Sequence, residues 1–177
     1  QVTEYDGPDA LPAELRAEYD RQHGNAAPWQ SDWRWCGKCH GLFFSGGQAG
    51  AGTCPAGGTH DGAGSGNYTL AHNHEIESGQ SDWRWCHKCQ GLFHGSGQAA
   101  IGACPTGGQH ERGGGGNYSL AHNAPAAQGQ SKWRWCHKCR GLFFAGDQSA
   151  AGRCPADGGM HDAGTSGDYT MMHEPRP

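Results

Sequence analysis

The stretch WRWCGKCHGLFF at residues 33–44 returns as WRWCHKCQGLFH at 83–94 and as WRWCHKCRGLFF at 133–144, fifty positions further on each time. Trp33 and Trp35 alternate with Arg34, so on an extended chain both indoles share one face and the guanidinium takes the other. Leu42 and Phe44 likewise share a face, with Phe43 opposite. The phrase therefore reads as a strand, a turn carrying two cysteines, and a second strand. Aligning the copies outward gives three repeats, 29–73, 79–123 and 129–174, behind an N-terminal segment 1–28. Each runs from the tryptophan block through a glycine-rich stretch to G-x-C-P, a histidine, and a third strand signal: NYTL at 67–70, NYSL at 117–120 and DYTM at 168–171. Repeats of this size bury little surface alone and are stabilised by touching their neighbours.

The 177-residue chain holds only fifteen Leu, Ile, Val and Phe residues, against seven Trp, nine Cys and thirty-two Gly. An aliphatic fraction this low marks disorder when net charge is high. Here the formal charge is only −4, which points instead to an ordered protein held by aromatic burial and cross-links. The acidic balance gives no footprint for nucleic acid, and no apolar run approaches the roughly 18 residues of a membrane span. A chain beginning at Gln1 rather than Met reads as a mature, extracellular form. Within 1–28, Leu11, Leu15 and Tyr19 recur at helical spacing, with Pro12 suited to the first turn and Gly24 placed to stop it, which predicts one N-terminal helix packed across the repeats.

Each repeat carries three cysteines in the spacing C-x2-C-x14-C: Cys36, Cys39 and Cys54; Cys86, Cys89 and Cys104; Cys136, Cys139 and Cys154. Three cannot pair off as disulfides within a repeat, so a ligand of another type is called for. His60, His110 and His161 follow the third cysteine closely, and short ligand spacing is the zinc pattern. Three thiolates and one imidazole make a closed structural zinc site, which predicts three zinc ions per chain. His72, His122 and His173 also recur and are the competing choice for the fourth ligand. Each such site contributes on the order of 10–16 kcal/mol of apparent folding free energy, enough to stand in for the missing aliphatic core.

The C-x2-C-x-G element resembles the zinc knuckle of zinc-ribbon and rubredoxin-like proteins, over some ten residues per repeat. The second half, C-P-x-G-G-x-H, departs from their second C-x2-C, so the resemblance implies metal binding and no more.

The fold expected is all-β, with short strands and glycine-rich loops. Three zinc-stapled repeats form a pseudo-threefold domain like a β-trefoil or β-prism, with three beads in a row as the alternative. For function, no nucleophile-base-acid order or paired acid is in frame, which predicts a non-enzyme. What recurs beyond the zinc ligands is Arg34, Tyr68 and His72; Arg84, Tyr118 and His122; and Arg134, Tyr169 and His173. Aromatic faces beside hydrogen-bonding groups suit polyhydroxylated ligands, and triplication offers avidity. These residues predict a multivalent lectin-like protein that binds a glycan or polysaccharide. The second expectation is a zinc-stapled structural module that binds a protein partner. Exposure of the three tyrosines separates the two.

Overall fold

The computed structural model describes residues 29–46, 51–76, 78–95, 102–112, 116–124, 127, 129–146 and 152–174. The helix expected within 1–28 lies outside the described residues. Among the described residues the regular structure is entirely β. The first repeat contributes β1 (Trp29–Trp35), β2 (Leu42–Phe44) and β3 (Asn67–His72). The second contributes β4 (Gly79–Trp85), β5 (Leu92–His94) and β6 (Tyr118–His122). The third contributes β7 (Gln130–Trp135), β8 (Leu142–Phe144) and β9 (Tyr169–Glu174).

Within each repeat the first strand pairs antiparallel with both others. Trp33 faces Phe44 on β2 and Tyr68 on β3, and Trp83 and Trp133 hold the same places in their repeats. Between repeats the third strands close on one another: His72 pairs with Tyr118, His122 with Tyr169, and Tyr68 with His173. Three strands that are each paired to the other two leave no free edge among themselves, which removes the usual edge-strand liability. The second strands form a second ring. The Phe44 N–H donates to the Gln90 carbonyl, His94 N–H to Arg140 and Phe144 N–H to His40.

One extra residue in each first strand makes this closure possible. The register shifts between Gln30 and Trp33, Gln80 and Trp83, and Gln130 and Trp133. The bulged residues Asp32, Lys132 and Asp82 take φ of 74°, 74° and 72°, a region that disfavours side chains. Their freed N–H groups are caught by Asn67, Asp168 and Asn117 at 2.7–2.8 Å. Asn67 begins β3, and Asn117 and Asp168 directly precede β6 and β9, so the polar pattern N/D-Y-T/S has a structural purpose.

The repeats share one core rather than forming beads. Trp33, Trp83 and Trp133, each wholly buried, pack with Leu42, Leu92, Leu142, Tyr68, Tyr118 and Tyr169 in a single cluster drawn from all three repeats. Phe43, Phe93 and Phe143 point the other way, as the alternation predicts, but that second face is buried too, against the cysteines.

Candidate metal centres

The turn between the first two strands of each repeat brings its cysteine pair to one point, and the loop after the second strand brings the third cysteine and the histidine. The result is three groups: Cys36, Cys39, Cys54 and His60; Cys86, Cys89, Cys104 and His110; Cys136, Cys139, Cys154 and His161. Within each group the four ligand atoms lie within 4.8 Å of one another, and each group is able to hold one metal ion.

The interatomic distances discriminate among ways of using these residues. A tetrahedral ion with metal–sulfur bonds of about 2.3 Å and metal–nitrogen bonds of about 2.05 Å fixes the S–S edge at about 3.8 Å and the S–N edge at about 3.6 Å. Cys36–Cys54, Cys86–Cys104 and Cys136–Cys154 stand at 3.8, 3.9 and 3.8 Å. Cys39 to His60 Nδ1, Cys89 to His110 Nδ1 and Cys139 to His161 Nδ1 stand at 3.5, 3.6 and 3.6 Å. A disulfide would bring two sulfurs to about 2.05 Å, and all nine cysteines are free and buried.

The surroundings are built for thiolates. Cys36 Sγ accepts the N–H groups of Lys38, Cys39 and Asp61 at 3.3–3.4 Å, and Ala56 N–H donates to Cys54. Such bonds spread the negative charge that a metal-bound sulfur keeps. Without metal, the sulfurs hold protons among themselves. Hydrogen bonds to its two sibling sulfurs, with burial adding, push Cys39, Cys89 and Cys139 well above the usual thiol range. The hydrogen bond from Cys39 draws Cys36 down to about 2 against the opposing effect of burial. A bound ion replaces that shared proton, so metal binding releases protons and strengthens as pH rises.

The histidine of each group is held from two sides. Phe43, Phe93 and Phe143 stack on His60, His110 and His161 with centroids 4.7 Å apart. The far nitrogen then crosses to the next repeat: His60 Nε2 meets the carbonyl of Cys89 at 3.1 Å, His110 that of Cys139 at 3.2 Å, and His161 that of Cys39 at 3.1 Å. With Nδ1 facing the sulfurs, Nε2 carries the proton and donates. Every centre is thereby tied to the backbone of the next, and the third returns to the first. Gly52, Gly102 and Gly152, with φ of 76°, 92° and 77°, lie against those same carbonyls, where any Cβ would overlap the oxygen.

The other recurring residues sit elsewhere. His72, His122 and His173, the competing fourth ligands, stack on Tyr118, Tyr169 and Tyr68 across the repeat junctions at 4.6–4.8 Å. The tyrosines themselves are 3%, 3% and 4% exposed. Tyr68 donates its hydroxyl to Gln130 at 2.6 Å, Tyr118 to Gln30 at 2.7 Å and Tyr169 to Gln80 at 2.7 Å, each a residue of another repeat. Burial pushes the Tyr68 and Tyr169 phenols up to about 12, and Tyr118 higher still. Arg34 and Arg84 donate to the carbonyls of Gly66 and Gly116, which fastens the loop ahead of the third strand. Comparison with protein-family models, with curated proteins and with solved structures gives no match to this chain.

Proposed function

We propose that this protein is a non-enzymatic binding module whose pseudo-threefold β domain, of the β-trefoil or β-prism kind, is held closed by three structural zinc ions. The observation that carries this reading is the ligand count. Three sulfurs and one imidazole fill a tetrahedral shell with protein atoms, which leaves no position for substrate or activated water. The softness of a sulfur-rich, tetrahedral donor set favours zinc among common divalent ions. An extracellular setting belongs to the same proposal.

Between the two functional expectations, burial of Tyr68, Tyr118 and Tyr169 supports the zinc-stapled interaction module over a lectin whose tyrosines form the sugar platforms. The tyrosines serve the junctions between repeats, and what the closed ring offers a partner is repetition of its surface. The test is chelation at neutral pH. Removal of zinc is expected to abolish the near-ultraviolet circular dichroism of the buried tryptophans and any partner binding together, and return of zinc to restore both. A chelated protein that keeps a cooperative thermal transition would refute the structural role.

A further inference from the structure

Two repeat junctions open into matching clefts of about 300 and 290 Å3. The first is lined by Trp35, Gly64, Ser65, Gly66 and Tyr68 from the first repeat and by Gln130, Phe144 and His173 from the third. The second has Trp85, Gly116 and Tyr118 from the second repeat, and Gln30, Phe44, His72 and Asn73 from the first. Their volumes reach the lower end of the range for small-molecule sites.

The chemistry of these clefts is specific. Trp35 and Phe144 are half-buried aromatic walls, and Gly64 and Gly66 contribute bare backbone to the lining. The polar groups of each cleft include an amide of fixed orientation. Gln130 Oε1 accepts from the Tyr68 hydroxyl and also from the Trp133 indole at 2.9 Å, and Gln30 Oε1 accepts from Tyr118 and from Trp33 at 3.0 Å. An indole N–H only donates, so oxygen and nitrogen of each amide are assigned without ambiguity. Each amide nitrogen is left with no hydrogen bond among the described residues, and so is the His173 ring. Neither cleft is lined by a carboxylate, a guanidinium or an ammonium.

From this we infer that the two clefts are binding sites for neutral saccharide units, each pyranose laying its C–H face on an aromatic wall and accepting a hydrogen bond from the glutamine amide. The inference rests on the binding-module reading above and supplies its ligand class, on residues other than the tyrosine platforms expected from sequence. An organic cation would also favour aromatic walls, but here it would meet an amide donor and no counter-charge. An anion would find no guanidinium or ammonium in either cleft. The third junction is different. His94 stands where Phe44 and Phe144 stand, and Trp83 Nε1 has no partner where Trp33 and Trp133 each bond a glutamine, so Gln80 is fixed by Tyr169 alone. Two equivalent sites per chain follow, rather than three.

Gly64 provides the means to test this, because a Cβ there meets nothing within 4 Å and its backbone is unstrained. Gly64→Phe fills the first cleft without touching the core. The zinc-loaded protein is titrated calorimetrically with soluble oligosaccharides of mannan, cellulose, chitin and galactan, and with choline and an aromatic tripeptide as contrasts. Saturable binding of a neutral saccharide at two equivalents is expected, falling to one in Gly64→Phe at unchanged melting temperature and zinc content. Trp35→Ala with Trp85→Ala should lower affinity at least tenfold. No saccharide binding, binding of choline or peptide alone, or unchanged stoichiometry in Gly64→Phe would overturn the inference. Intact zinc content and melting in those experiments would leave the zinc-stapled fold standing, whereas their loss would tell against that reading instead.

Discussion

His161 donates from Nε2 to the carbonyl oxygen of Cys39, 3.1 Å away and 122 positions earlier in the chain. That contact returns the last Cys3His group to the first, so a candidate metal ligand and the closure of the ring meet in one imidazole. The two roles separate by substitution. His161→Cys supplies a fourth thiolate but no donor to Cys39. It should keep three metal ions while losing about 1–2 kcal/mol of stability in denaturant unfolding, the worth of a hydrogen bond whose acceptor is left buried. His161→Ala should lose the third ion as well.

Gly102 tests the same junction from its other side. At φ of 92° it lies against the Cys139 carbonyl, which a Cβ would overlap. The left-handed backbone alone disfavours a side chain by about 1–3 kcal/mol, and the overlap adds to it. Gly102→Ala should therefore destabilise by at least about 3 kcal/mol, measured by urea unfolding. Gly107→Ala, at φ of 109° with open space around its Cβ position, should show the backbone strain alone.

The pairing of Tyr68 with Gln130 predicts a graded result. Tyr68→Phe removes one donor but leaves Gln130 bonded to Trp133, at a cost of about 1 kcal/mol. Gln130→Ala strands both the phenol and the indole and should cost two to three times as much. A double-mutant cycle on unfolding free energies checks the coupling.

Much of this architecture is legible in the sequence, and the division follows how far each feature reaches. Ligand spacing is local, so Cys36, Cys39, Cys54 and His60 identify themselves within one repeat, and the tryptophan alternation gives the strand before the knuckle. Tyr68, Gln130 and His173 meet only because the third strand of one repeat pairs with that of another, which no single repeat encodes. Tyrosines read as outward platforms are consequently found at the junctions. The clefts escape sequence reading for the same reason. A signal for closure was present in the glycine two places before each third cysteine, Gly52, Gly102 and Gly152, but its purpose depends on the neighbour's carbonyl.

The buried phenols give a pH dependence. Their ordinary value is 10.0, and Tyr68 and Tyr169 are raised to about 12 because burial disfavours the phenolate. The folded state thus favours the protonated ring. This contribution is fully present below pH 10 and is lost as pH rises through about 12. Tyrosinate absorbance followed against pH should show these rings ionising late and together with unfolding, and Tyr→Phe at the three positions should remove that late phase.

X-ray absorption at the zinc edge, with elemental analysis of the same dialysed sample, tests directly whether three Cys3His zinc centres close this fold. Three zinc ions per chain are expected, each with three sulfurs at about 2.3 Å and one nitrogen at about 2.0–2.1 Å. A folded protein free of metal with its cysteines in disulfides, or a zinc shell containing water oxygen in place of the imidazole, would contradict this expectation.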